Sequence, residues 1–152
     1  MFYIRLAVVS LAILLSACSS HPKIKDFKPS VSNDMAVVYH YRKSQFVGGG
    51  RNFHVTNNGK LVFIMENGSF YKELVKPGQA TYHSKSLQKH IIGNIGVSLI
   101  MNNFEDFEER LTLNAELAKI YYVEWSHGKA EIKSEQIALT EINGLSNLNS
   151  QL

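Results

Sequence analysis

The sequence predicts an all-β domain, an antiparallel β-sandwich or open barrel of about seven to eight strands. Short runs of β-branched and aromatic residues alternate with polar ones. Strong turn signals fall between them at Asn57-Asn58-Gly59, Glu66-Asn67-Gly68, Lys76-Pro77-Gly78 and His127-Gly128-Lys129. Neither heptads nor long repeats interrupt this pattern. Short strands separated by turns must bury one face each, and a sandwich or barrel is the architecture that lets them do so.

The elements follow in order. Met35 to Arg42 (MAVVYHYR) is the first β-prone run, and a loop from Lys43 to Gly50 ends it. Arg51 to Thr56 alternates, with Phe53 and Val55 on one side. Asn57-Asn58-Gly59 supplies a hairpin turn, because Asn and Gly tolerate positive φ. Lys60 to Met65 returns, and Ser69 to Val75 forms a fourth strand beyond Glu66-Asn67-Gly68. Pro77 presets φ and Gly78 takes the left-handed position of a type II turn before the strand Gln79 to Ser86. Ile91 to Met101 is apolar but broken by Gly93 and Gly96, which argues against a helix and for a loop leading into a buried strand near Val97 to Met101. Phe107 to Leu113 alternates again. Ile120 to Trp125 is the most β-prone run, and Ala130 to Ile142 supplies a last strand, possible breaks included. These strands make 35–142 the folded domain. In 143–152, Leu145, Leu148 and Leu152 sit at near-helical spacing in a polar stretch, which fits a frayed tail or a short amphipathic helix.

Ahead of this domain, Arg5 precedes the uncharged run Leu6 to Leu15, and the small residues Ser16 and Ala17 follow. That is the layout of a secretory signal, too short to span a bilayer. Leu15-Ser16-Ala17-Cys18 resembles a bacterial lipobox, so residues 1–17 read as a signal peptide and Cys18 as the lipidated N-terminus. Each buried CH₂ of an acyl chain adds about 0.8 kcal/mol, so two or more chains make a firm anchor. Ser19, where an Asp would favour inner-membrane retention, points to the outer membrane. Cys18 is the only cysteine, which leaves none for a disulfide in an oxidising compartment. Residues 18–34 are polar after Cys18, contain Pro22 and Pro29, and lack a sustained period; they read as a flexible tether.

Of the 16 Lys and Arg residues only Arg5 falls in 1–17, and none of the 13 acidic residues does, so the remainder carries 15 against 13, net +2. So small an excess gives no electrostatic footprint for nucleic acid. No cofactor is called for.

Val38-Tyr39-His40-Tyr41-Arg42, Ser44, Phe46 and Gly48-Gly49-Gly50 resemble the opening of the bacterial lipoprotein family catalogued as domain of unknown function 2846. Asn58-Gly59-Lys60, Asn67-Gly68-Ser69-Phe70-Tyr71, Pro77-Gly78 and Tyr121-Tyr122-Val123 continue the likeness over residues 35–125. That family often has Gly-Lys-Thr before its Tyr-Tyr; this chain has Ala118-Lys119-Ile120 there, and its 88–104 segment departs from the pattern. The resemblance implies an exported, often lipidated β-domain and brings no catalytic residues.

The candidate binding residues are Phe46, Gly48, Gly49, Gly50 and Arg51. A phosphate-cradling glycine loop needs a helix N-terminus after it, but Arg51-Asn52-Phe53-His54 reads as strand. Gly48–Gly50 therefore reads as a loop needing unusual φ/ψ or close backbone approach, with Phe46 packed under it or exposed as a contact. If the first two strands pair antiparallel across this loop, with paired numbers summing to 94, then His40 faces His54 on the polar side and Tyr41 faces Phe53 on the apolar side. Two histidines fall short of a zinc site, which takes three or four ligands, and His83 is the nearest third; no metal site is assigned. The same pair would repel on protonation. Glu105-Asp106-Phe107-Glu108-Glu109 reads as a solvated edge rather than a glycosidase pair, and Ser126-His127 as a hairpin end. Trp125, Tyr121 and Tyr122 pack in the core or form an aromatic surface.

The expectation is a non-enzymatic binding or accessory module of the cell envelope, held at the outer membrane through Cys18 and facing the periplasm, with an envelope protein or cell-wall material as partner. Its alternatives are an envelope hydrolase acting on peptidoglycan or glycan, and a small-ligand carrier.

Overall fold

A computed structural model describes residues 22–47, 49–87 and 108–151. They form β1 (Ala36–Arg42), β2 (Asn52–Asn57), β3 (Lys60–Met65), β4 (Ser69–Val75), β5 (Gly78–Leu87), β6 (Glu108–Ala115), β7 (Ile120–Ser126), β8 (Lys129–Lys133), the helix α1 (Glu135–Ile142), the short β9 (Ser146–Asn147) and a 3₁₀ turn, Leu148–Gln151. The expected strand at Val97–Met101 lies outside the described residues, as does Cys18.

The predicted all-β sandwich is what the chain forms. One sheet has the order β8-β7-β1-β4-β9 and the other β3-β2-β5-β6. Alternate residues from both sheets fill the space between them: Ala36 and Val38 of β1, Phe53 and Val55 of β2, Met65 of β3, Tyr82 of β5, Leu113 of β6 and Trp125 of β7.

The pairing of β1 with β2 does not occur. β1 lies in the middle of the first sheet, antiparallel to β4 (Ala36↔Val75 to Arg42↔Ser69) and parallel to β7 (Val37↔Ile120 to Tyr41↔Glu124). β2 belongs to the other sheet, between β3 and β5. The physical reason is burial. Every residue of β1 is buried, so its two faces need two cores, which an edge hairpin over a single core does not provide. The second core is on the outer face of the first sheet, where Val37, Tyr39 and Tyr41 meet Phe70, Tyr122, Phe27, Ala138, Ile142 and Leu145.

That outer layer corrects three expectations. The stretch read as a flexible tether is docked. Ile24 N–H donates to the Leu145 carbonyl (3.0 Å), Gly144 N–H to the Ile24 carbonyl (2.8 Å), and Lys23 makes an isolated bridge with Ser146. Phe27 is buried, with its ring edge-on to Tyr39 (5.0 Å) and Phe70 (5.3 Å), and its N–H donates to Asn143 Oδ1 (2.9 Å). Residues 22–30 thus form a strap that needs no regular period, because Ile24 and Phe27 supply its apolar contacts and the rest is held through backbone groups and Ser30.

The last strand stops at Lys133, and α1 takes the place expected for its second half. Ser134 sits at the N-cap position in extended conformation, Glu135 follows in the first turn, and Ala138 and Ile142, four residues apart, are the buried residues of the helix. The final segment, described as far as Gln151, is docked rather than frayed, and its helical part is the 3₁₀ turn Leu148–Gln151. β9 pairs parallel with β4, and Leu145 and Leu148 are buried. Asn149 then continues the pairing with its side chain: Lys72 N–H donates to Asn149 Oδ1 (2.6 Å) and Asn149 Nδ2 donates to the Lys72 carbonyl (2.9 Å). The edge of β4 is thereby covered.

The turns form as their residues require. Asn58 (φ 48°) and Gly59 (φ 77°) make the two-residue β2–β3 connection, and His127 (φ 51°) and Gly128 (φ 77°) the β7–β8 connection. Ala118, between β6 and β7, also has positive φ (58°). The left-handed region costs an L-residue about 1–2 kcal/mol, and glycine's greater unfolded-state entropy offsets part of the gain. Ala118→Gly is therefore expected to stabilise the domain by about 0.5–1 kcal/mol, read as a higher urea midpoint at unchanged m-value.

Candidate functional site

The sandwich has two ends. One carries the β1–β2 loop, the β3–β4 turn, the β7–β8 turn and the entry of the strap; the other carries the turns around Gly59, Gly78 and Ala118. The candidate residues lie at the first end.

The β1–β2 loop has a fixed base and an exposed tip. Asn67 of the β3–β4 turn clasps it: Gln45 N–H donates to Asn67 Oδ1 (2.8 Å), and Asn67 Nδ2 donates to the Gln45 carbonyl (3.0 Å). Gln45 Nε2 donates to Ser126 Oγ (3.3 Å), which ties the loop to the end of β7. A Cβ at Gly49 would collide with the Gln45 carbonyl and lie 2.7 Å from Asn67 Nδ2, so glycine is required there by close backbone approach. At Gly50 nothing lies within 4 Å of such a Cβ. Gly48 lies outside the described residues. Phe46 is not packed under the loop. It is fully exposed, at 103%, and Val47 beside it is 79% exposed.

The Arg51 side chain is exposed, while its carbonyl accepts from Arg42 Nη1 (2.5 Å). Arg42 is buried, its guanidinium carbon 4.9 Å from the centre of the Phe53 ring, and desolvation lowers its pKa from the ordinary arginine value. Lys43 at the start of the loop joins Glu124 of β7 (2.9 Å) and Glu141 of α1 (2.7 Å), and Glu141 also accepts from Tyr41 OH (2.7 Å).

The histidines do not come together. His40 lies between the sheets, fully buried, whereas His54 and His83 lie on strands of the second sheet and are half-buried. The predicted His40–His54 pair, and the charge repulsion built on it, are therefore overturned. His40 instead belongs to a polar network that the sequence reading missed. Trp125 Nε1 donates to His40 Nδ1 (3.2 Å), which fixes the imidazole proton on Nε2, where it is donated to Glu73 Oε2 (3.0 Å). Tyr82 OH donates to the same oxygen (2.9 Å) and Asn57 Nδ2 to Glu73 Oε1 (2.9 Å). Burial pushes the Glu73 carboxyl up, but the hydrogen bonds from His40, Asn57 and Tyr82 outweigh it and hold its pKa below the ordinary value. Tyr82 is pushed well above the usual tyrosine range by burial and by Glu73. The available signal was alternation: Glu73 is in phase with Tyr71 and Val75, which both pack against the inter-sheet core.

Other candidates are dispersed. Glu108 is exposed and paired with Arg110, and residues 105–107 lie outside the described part. Ser126 Oγ lies 3.0 Å from His127 Nδ1 in the β7–β8 turn. Trp125 and Val123 pack between the sheets with Tyr121 half-buried beside them, while Tyr122 faces the outer layer, stacked on Tyr39 (5.7 Å). Among the described residues, no three His, Cys, Asp or Glu side chains are grouped to hold a metal ion. Among the described residues, one surface groove of about 390 Å³ lies between the strap and Phe70 and Lys72, and another of about 410 Å³ lies beside Ile120 and Lys133.

Fold and site together define a two-sheet β-sandwich with an added strap-and-helix layer and a clamped, apolar-tipped loop at one end. No family model matches the chain, and neither a curated protein nor a solved structure matches it.

Proposed function

We propose that the protein is a lipid-anchored module of a bacterial outer membrane that faces the periplasm and works by binding, not by catalysis. The anchor rests on the signal layout and on Leu15-Ser16-Ala17-Cys18. The resemblance to the family of domain of unknown function 2846 agrees with it. The binding role rests on one observation: Phe46 and Val47 are exposed at the tip of a loop whose base is held by Asn67 and Gly49. An exposed apolar tip on a rigid base loses little conformational freedom on contact, which favours recognition.

The test is to purify the full-length protein from a membrane fraction, define its N-terminus by mass spectrometry, and crosslink it in living cells. A mature chain beginning at acylated Cys18, with a reproducible envelope component captured, is the expected result. An uncut Met1 or an unmodified Cys18 overturns the anchor. Turnover of peptidoglycan or glycan by the purified protein overturns the binding role.

A further inference from the structure

The strap changes what a lipid anchor would do. A flexible tether over 18–34 would let the domain roam. The chain is instead held from Lys23 onward, by the bridge to Ser146 and the two hydrogen bonds that pair Ile24 with Gly144 and Leu145. Only residues 19–21 lie between Cys18 and the start of the strap at Pro22. A fully extended chain covers at most about 14 Å from Cys18 to Pro22. Ser146, the partner of Lys23, donates its N–H to the Gly68 carbonyl (2.9 Å), and a Cβ at Gly68 would lie 3.4 Å from the Ser44 Cβ. Ser44 is two residues from Phe46. Lys23, where the chain from Cys18 is first held, therefore lies at the same end of the sandwich as the exposed Phe46–Val47 tip.

We infer that this end rests on the bilayer surface, with Phe46 and Val47 set into the headgroup–acyl boundary as a second membrane contact. The occupant is argued from reach and from chemistry. With acyl chains on Cys18 in the bilayer, the strap entry lies within about 14 Å of the surface, whereas the far end of β1 is about 20 Å more distant at 3.3 Å per residue. An aromatic and a branched aliphatic side chain side by side suit the interface, where apolar area is removed from water without crossing the membrane. Exposed Lys23, Lys25, Arg51 and Lys129 lie on the same end and complement anionic headgroups. This inference rests on the lipid anchor proposed above, and it makes orientation, rather than mere retention, the property of the short linker.

The test uses the full-length, lipidated protein in vesicles of phosphatidylethanolamine and phosphatidylglycerol. Cys18 is the only cysteine, and lipidation would hold its sulfur in a thioether. Val47→Cys then offers a single thiol for an environment-sensitive fluorophore; Phe46→Cys is the second placement, and Leu117→Cys, exposed in the β6–β7 turn, is the far-end control. Near-UV circular dichroism of Trp125, the only tryptophan and buried, verifies that each variant is folded. The expected result is a blue shift and quenching by a lipid-borne quencher at position 47 or 46, with position 117 quenched only from water. Equal access of an aqueous quencher to both ends, on protein whose Cys18 is acylated, overturns the inference and leaves the anchor intact. Unmodified Cys18 in the same sample overturns both. Protection of position 47 from both quenchers in native envelopes, with exposure in pure vesicles, places a protein there and overturns the bilayer contact.

Discussion

Glu73→Gln is expected to destabilise the domain by about 3 kcal/mol, because it breaks a buried acceptor shared by three donors. His40 Nε2–H, Tyr82 OH and Asn57 Nδ2 all point at the Glu73 carboxylate. A glutamine offers one oxygen in place of two and no charge, so its NH₂ must take the place of an acceptor that now receives either Asn57 or both His40 and Tyr82. His40 cannot adapt cheaply, since Trp125 Nε1 already occupies its Nδ1. The pH dependence carries the same signature. The folded-state pKa of Glu73 is lowered, so its stabilisation is complete above the unfolded carboxylate value of about 4.3 and is lost as pH falls through the folded value. Urea melts should show a gap between wild type and Glu73→Gln that is constant near neutrality and narrows below about pH 4. A gap that widens in acid, or a variant as stable as wild type at pH 7, would remove the network from any account of stability.

Phe27→Ala should cost about 3 kcal/mol, the low end of the range for truncating a buried phenylalanine. Phe27 lies outside the sandwich proper, but its ring meets Tyr39 and Phe70, and its N–H is held by Asn143. Losing the ring leaves a void over the outer face of the first sheet and frees the strap. Urea denaturation measures the cost, and hydrogen exchange locates it: the Ile24, Phe27 and Ser30 amides, bonded to Leu145, Asn143 and Tyr39 OH, should lose protection first. A change below about 0.5 kcal/mol, the size usual for a surface substitution, would return residues 22–30 to the status of a linker.

These two residues also mark where the sequence was and was not legible. β3 and β4 are read to the residue, because Asn57-Asn58-Gly59 and Glu66-Asn67-Gly68 fix where chain reversal occurs. β1 is found in place but paired with the wrong strand. Its alternation was read for one buried face, although Ala36-Val37-Val38 is apolar on both. His40 then followed the wrong partner, and Glu73 went unnoticed because a charge within a strand reads as solvent-facing by default. The strap escaped notice since two apolar side chains, Ile24 and Phe27, produce no period, and the acceptors of their backbone amides are more than 100 residues further on, at Asn143 and Leu145. Ser134-Glu135 held a helix start, but the β-prone residues on either side masked it. At the candidate site, Gly49 meets one of the two alternatives expected for Gly48–Gly50, close backbone approach, whereas the exposure of Phe46 depends on where Asn67 holds the loop.

The parallel pairing of β1 with β7 has a consequence for when the domain can assemble. A parallel neighbour cannot be supplied by a hairpin, and every pair in the ladder, from Val37 with Ile120 to Tyr41 with Glu124, is separated by more than half of the chain. The central strand therefore gains its second ladder only after the chain has emerged as far as Ser126, and the cover over its outer face only after Leu145. High contact order of this kind slows folding. Under the export proposed from Leu6 to Cys18, late closure would also be an advantage: the polypeptide would stay threadable until nearly all of it had crossed, and the sheet would close on the far side.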